Sequence, residues 1–122
     1  MNSEILKKRT KTYAISIGKL IIDLPNNVLN KNYSNQLVRS SSSVGANYRA
    51  ACRAKSTADF LNKLKIVEEE LDETMFFLEL LEEFNPEKKS IIQENWKEAN
   101  ELLAIMVASI VTIRKNLENR KS

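Results

Sequence analysis

Between Phe60 and Leu81 the side chains suited to a core recur at steps of four and three without a break: Phe60, Leu64, Val67, Leu71, Thr74, Leu78 and Leu81. A heptad stripe sustained over that length is the pattern of a long helix buried along one side. The stretch before it carries a matching stripe of smaller groups, Leu37, Ser41, Val44, Tyr48 and Ala51, with Gly45 and Ala46 beside it. Small residues there let a neighbouring helix come close. Ser56 or Thr57 can cap the second of these helices, with Asp59 in its first turn next to exposed amides, so the chain reverses around Lys55 and Ser56. A turn centred there sets Arg39 opposite Glu73, and an ion pair shared with Glu69 or Glu70 is expected to fix the register between the two helices. An exposed pair contributing little is the alternative.

The run RSSSSVGANYRAACRAKS followed by DFLNKLKIVEEELDETMFFLELL resembles the signature of the proteins encoded in intervening sequences of 23S ribosomal RNA genes. That family is in turn similar to accessory proteins of diversity-generating retroelements. Arg39, Ser43, Gly45, Ala46, Asn47, Phe60, Lys63, Leu64, Glu70, Glu73, Thr74 and Leu78 carry the resemblance, and the flanking helices match in pattern and length. Many relatives have an acidic residue shortly after the Gly-Ala-Asn, where this chain has Ala50. The resemblance implies an up-and-down helical bundle, assembly into a homopentameric ring, and a role in binding nucleic acid.

The residues support the same architecture. With two Gly and two Pro in 122 residues, and charged residues at 29% interleaved with apolar ones at helical spacing, few and long helices are expected in one domain, 1–122. The first helix spans about 3–24, with Leu6, Thr10, Tyr13, Ile17, Leu20 and Leu24 on one stripe, widened by Ile5, Ala14 and Ile21, and Pro25 ends it. The Asn-rich stretch from Pro25 to Tyr33 reads as a polar loop. Ser34 then caps a second helix over about 34–55. A third covers 57–84, broken by Asn85 and Pro86. The fourth, about 87–118, keeps the heptad rhythm in Ile92, Trp96, Ala99, Leu103, Met106, Ile110, Ile113 and Leu117. The expected fold is all-α: an up-down-up-down four-helix bundle of long antiparallel helices.

This topology gives the net charge of +3 a direction. The start of the first helix, the end of the second, the start of the third and the end of the fourth share one pole. It gathers Lys7, Lys8, Arg9, Lys11, Arg49, Arg53, Lys55, Lys63, Lys65, Arg114, Lys115, Arg120 and Lys121 against Glu4, Asp59 and Glu118, a balance of +10 that leaves −7 elsewhere. Such a field attracts polyanions, and nucleic acid is the leading candidate. The helix dipole accounts for Arg53, Lys55, Arg114 and Lys115 as solvating charge, but not for Lys7, Lys8, Lys63 and Lys65, which lie nearer helix N-termini. Tyr13 and Tyr48 occupy core stripes, so phosphate contacts with a preference for shape are expected rather than base stacking.

Other chemistry finds little support. The chain has no His, which removes the usual general base and the metal ligand that helical carboxylate sites add to clusters such as Glu68, Glu69, Glu70, Asp72 and Glu73. Cys52, the single cysteine, lacks an evident activating partner and fits a reducing cytoplasm. No apolar run is long enough to span a bilayer. No enzyme activity, cofactor or metal is expected. Ser41, Gly45 and Asn47 are assigned to close packing or a subunit contact, with the Ser40 to Ser43 run as packing or as a hydroxyl patch for phosphate. Phe76, Phe77, Phe84 and Trp96 exceed what a core uses, which points to a subunit interface. Two functions remain: an oligomeric bundle binding structured RNA or DNA through its basic pole, as scaffold or chaperone, or a module docking a protein partner through acidic and aromatic helix faces.

Overall fold

The starts of the first three helices are each set by a short polar side chain that accepts a hydrogen bond from an otherwise unpaired amide. The computed structural model describes residues 2–121, with the Lys121 side chain excepted. In α1, Ser3–Ile22, the Asn2 side chain accepts from the Ile5 amide at 2.9 Å. In α2, Val28–Cys52, Asn27 does the same for Asn30, and in α3, Thr57–Phe84, Ser56 caps the amide of Asp59 at 3.1 Å. A 3-10 turn at Pro86–Lys88 leads into α4, Lys89–Lys121.

The four helices form the expected all-α bundle, and its direction can be read from paired residues. Numbers fall on one helix as they rise on the next: Thr10 lies against Gly45, Asn30 against Asn85, Ser40 against Thr74, Glu79 against Trp96, and Tyr13 against Asn95. Every neighbouring pair is therefore antiparallel, including α1 with α4, which closes the bundle. The α2–α3 pair makes the most extensive contact and α1–α4 the least. Ile17, Leu37, Val44, Leu64, Val67, Leu71, Leu78, Leu81, Ile92, Leu102 and Met106 fill the centre with almost no exposure. Among the described residues no helix is long and apolar enough to cross a membrane.

Three sequence expectations need correction. The second helix begins at Val28, six residues before Ser34, which is itself buried inside it. Asparagine propensity argued for a loop, but Asn30 is held by a tertiary pair: its amide donates to Asn85 Oδ1 at 2.9 Å, the Asn85 amide donates back at 2.7 Å, and the carbonyls of Pro25 and Leu81 satisfy the remaining N–H groups. The stripe of α4 holds at Ile92, Ala99, Met106 and Ile110 but shifts by one residue at two positions, where Asn95 and Leu102 are buried and the expected Trp96 and Leu103 are only partly so. Ile5, expected to widen the stripe of α1, is half exposed.

Candidate nucleic-acid interface

Steps of three and four bring Glu4, Lys7, Lys8 and Lys11 to one side of α1, and the same spacing brings Arg49 and Arg53 to the facing side of α2. Together these six side chains line a shallow groove of about 400 Å³. Five are cations and one is a carboxylate. Glu4 is occupied by Lys7 Nζ at 3.1 Å, an exposed one-turn pair that restrains Lys7 without removing its charge. Lys8, Lys11, Arg49 and Arg53 are exposed. Next to the groove, Ala14, Ser42, Gly45 and Ala46 form a trough of small groups between the same two helices, so nothing bulky screens the cations there.

Arg9 departs from the expected set. It lies on the α4 side of α1, where its Nε and Nη2 each donate to Glu98 at 2.7 Å and Nη2 reaches Glu101 at 3.3 Å. The hydrogen bond to Glu98 raises the guanidinium pKa against an opposing effect of burial. Arg9 thus serves as a strut between α1 and α4, and a phosphate would have to displace two carboxylates to reach it. The other expected cations lie outside the groove. Lys55 belongs to the turn between α2 and α3, beside an opening lined by Tyr48, Cys52 and Phe60. Lys63 and Lys65 project from α3, and Arg114 and Lys115 from the last turns of α4.

The residues assigned to structure or interfaces separate in the same way. Arg39 donates to Glu70 Oε2 at 3.1 Å and also meets Glu73, so one guanidinium of α2 holds two carboxylates of α3. Ser41 is fully buried, and Gly45 faces Thr10, where an added Cβ would come 3.4 Å from the threonine hydroxyl. Asn47 does not bridge helices within the chain: its amide donates to the Ser43 carbonyl one turn back. A buried polar link between α2 and α3 is made instead by Thr74 Oγ1, 2.9 Å from Ser40 Oγ. Phe76 is exposed, Phe77 is half-buried, and Trp96 donates its indole N–H to Glu79 at 3.0 Å. Neither Arg9–Glu98 nor the links of Asn95 to Tyr13 and Ser16 was legible beforehand. Both join the first helix to the last, whose register no turn specifies.

Burial pushes the pKa of the Tyr13 hydroxyl well above its ordinary value, and the charge of Glu98 adds to the shift. Tyr48 is raised for the same first reason, with Cys52 contributing. Both rings belong to the core, and Tyr48 also borders the opening beside Lys55. Among the described residues no group of His, Cys, Asp and Glu is arranged to hold a metal ion.

An antiparallel four-helix bundle with a cationic groove at one pole is a class of all-α protein shared by many functions. The family model of the 23S rRNA-intervening sequence protein matches residues 2–108, and the chain belongs to that family. A solved structure agrees: a protein of unknown function from the S23 ribosomal protein family of Bacteroides thetaiotaomicron is 30% identical, with a TM-score of 0.75 over 85% of this chain and 96% of that one. No curated protein matches the sequence.

Proposed function

We propose that this protein is a non-catalytic, cytoplasmic homo-oligomer, a pentameric ring by family resemblance, that holds structured RNA or DNA by its phosphates as a scaffold or chaperone. The observation that carries the reading is the α1–α2 groove, where Lys7, Lys8, Lys11, Arg49 and Arg53 converge with a single carboxylate. Closely spaced cations displace counterions from a nucleic-acid backbone, and this supplies affinity without reading bases. The family's description ties its members to 23S rRNA intervening sequences, which makes structured RNA the first ligand to test. Exposed aliphatic side chains outside the core support assembly: Ile15, Ile22 and Val38 on α1 and α2, and Val107 and Val111 on α4. In a ring the groove would be repeated by every subunit.

The test is binding of hairpin RNA and duplex DNA across a salt series, with molar mass measured in the same buffers. Affinity should fall steeply with salt, and the Lys8→Glu, Lys11→Glu, Arg53→Glu variant should abolish binding while keeping the helical content and molar mass of the parent. Absence of binding at low salt would sink the proposal.

A further inference from the structure

At the end of the bundle opposite the groove, aromatic rings of α2 and α3 form a continuous row. Phe84 and Tyr33 lie 6.1 Å apart between centroids, Tyr33 and Phe77 6.2 Å, and Phe77 and Phe76 5.4 Å. The inner two, Tyr33 and Phe77, are half-buried and pack against the core. The outer two are not needed there: Phe76 is 54% exposed and Phe84 51%. Three of the four come from one helix at positions 76, 77 and 84, and Tyr33 enters from α2 only because that helix begins at Val28. The row is therefore a product of the fold.

Along α3 the charge beside these rings has one sign, the cations closest in sequence being Lys31 on α2 and Lys88 in the turn after Phe84. From Ile66 to Glu87 the chain has no Lys or Arg and nine carboxylates. Arg39 approaches from α2 but is taken up by Glu70 and Glu73. Asp72 precedes Phe76 by one helical turn and Glu83 adjoins Phe84; both are exposed, and neither makes an ion pair among the described residues. Ring faces carry partial negative charge and attract cations, Arg most often, and neighbouring carboxylates reinforce that attraction. A polyanion would be repelled from the same surface.

We infer that the Phe84–Tyr33–Phe77–Phe76 row is a docking surface for an arginine-rich, amphipathic peptide segment of a partner protein, with guanidinium groups stacked on Phe76 and Phe84 and paired with Asp72 and Glu83. A second copy of this chain fits less well. Its cations cluster at the opposite pole, and subunits packed side by side in one orientation around a ring would keep those cations away from these rings. The surface is separate from the groove, so it stands whether or not the protein binds nucleic acid.

The experiment is calorimetric titration of the full chain, at physiological salt, with three synthetic helical peptides of one apolar pattern carrying Arg, Gln or Glu on the polar face. The Arg peptide should bind in the micromolar range and the other two far more weakly. A Phe76→Leu, Phe84→Leu variant keeps most of the apolar area and removes the exposed ring faces, so it should lose about tenfold in affinity. Asp72→Asn with Glu83→Gln should weaken binding and flatten its salt dependence. Lys8→Glu with Arg53→Glu should leave it unchanged. Equal binding of the Arg and Gln peptides would overturn the inference, as would undiminished affinity in the Leu variant. A molar mass that drops in the Leu variant would also overturn it, by placing a second copy on the rings. Thermal melts of each variant confirm that the bundle is intact.

Discussion

Asn30 and Asn85 are among the least exposed polar residues of the chain, and each supplies what the other lacks. Their amides exchange hydrogen bonds, and backbone carbonyls take the remaining donors. Replacing one partner strands the other in a dry site, so Asn85→Ala should cost about 1–3 kcal/mol, read from the urea midpoint. Adding Asn30→Ala should cost less than a second independent loss, because the orphaned group is then gone. A propensity reading could not see this pair. It assigns both residues to turns, and correctly for Asn85, but the partner of Asn30 lies 55 positions along the chain. Tyr13 and Tyr48 yield a second residue-scale prediction. Their pKa values are raised in the fold above the ordinary 10.0, so the unfolded chain loses these protons first as pH climbs. Stability is fully present below pH 10 and should fall above it. Denaturation midpoints between pH 8 and 11 will show the slope, and Tyr13→Phe should reduce it.

Helix boundaries and faces were unequally legible, and the difference follows from what each helix touches. The stripes of α2 and α3 were readable because these helices face each other across a short turn, which fixes their register. The α4 stripe matched the expectation at Ile92, Ala99, Met106 and Ile110 and missed by one residue at Trp96 and Leu103. Apolar groups flank it on both sides, and its rotation is settled by α1, where Tyr13 donates to the Asn95 carbonyl and Ser16 to the Asn95 side chain. Nothing local encodes that contact. The two helical glycines make the role of packing measurable. At Gly18 an added Cβ meets nothing within 4 Å, so Gly18→Ala should stabilise α1 by about 0.5–1 kcal/mol through helix propensity alone. At Gly45 the same methyl would come 3.4 Å from Thr10 Oγ1, so Gly45→Ala should be close to neutral. Gly45→Leu should push α1 away and lower the melting temperature. Equal gains from both alanine variants would mean that α1 and α2 are not closely packed there.

Across the whole molecule the charges divide by pole, and the fold divides the cations further by what holds them. The division between poles follows from antiparallel topology and was legible in the sequence. The separation of Arg9 from Lys8 and Lys11 was not, because it depends on which side of α1 faces α4. That separation makes stability and affinity respond oppositely to loss of charge. Lys8, Lys11 and Arg53 crowd a field of their own sign, so Lys8→Gln, Lys11→Gln and Arg53→Gln should leave the melting temperature unchanged or slightly raised as repulsion is relieved. Each should also lower the slope of log affinity against log salt by about 0.7–0.9 if that cation meets one phosphate. Arg9→Gln removes a strut instead. It should cost about 1–2 kcal/mol, the lower part of the range for charged hydrogen bonds because Arg9 and Glu98 keep some solvent contact. The salt slope should then stay as it is. If Arg9→Gln flattened the slope as much as Lys8→Gln, the nucleic acid would have to draw Arg9 away from Glu98 and Glu101, and the bound surface would extend across α1 toward α4.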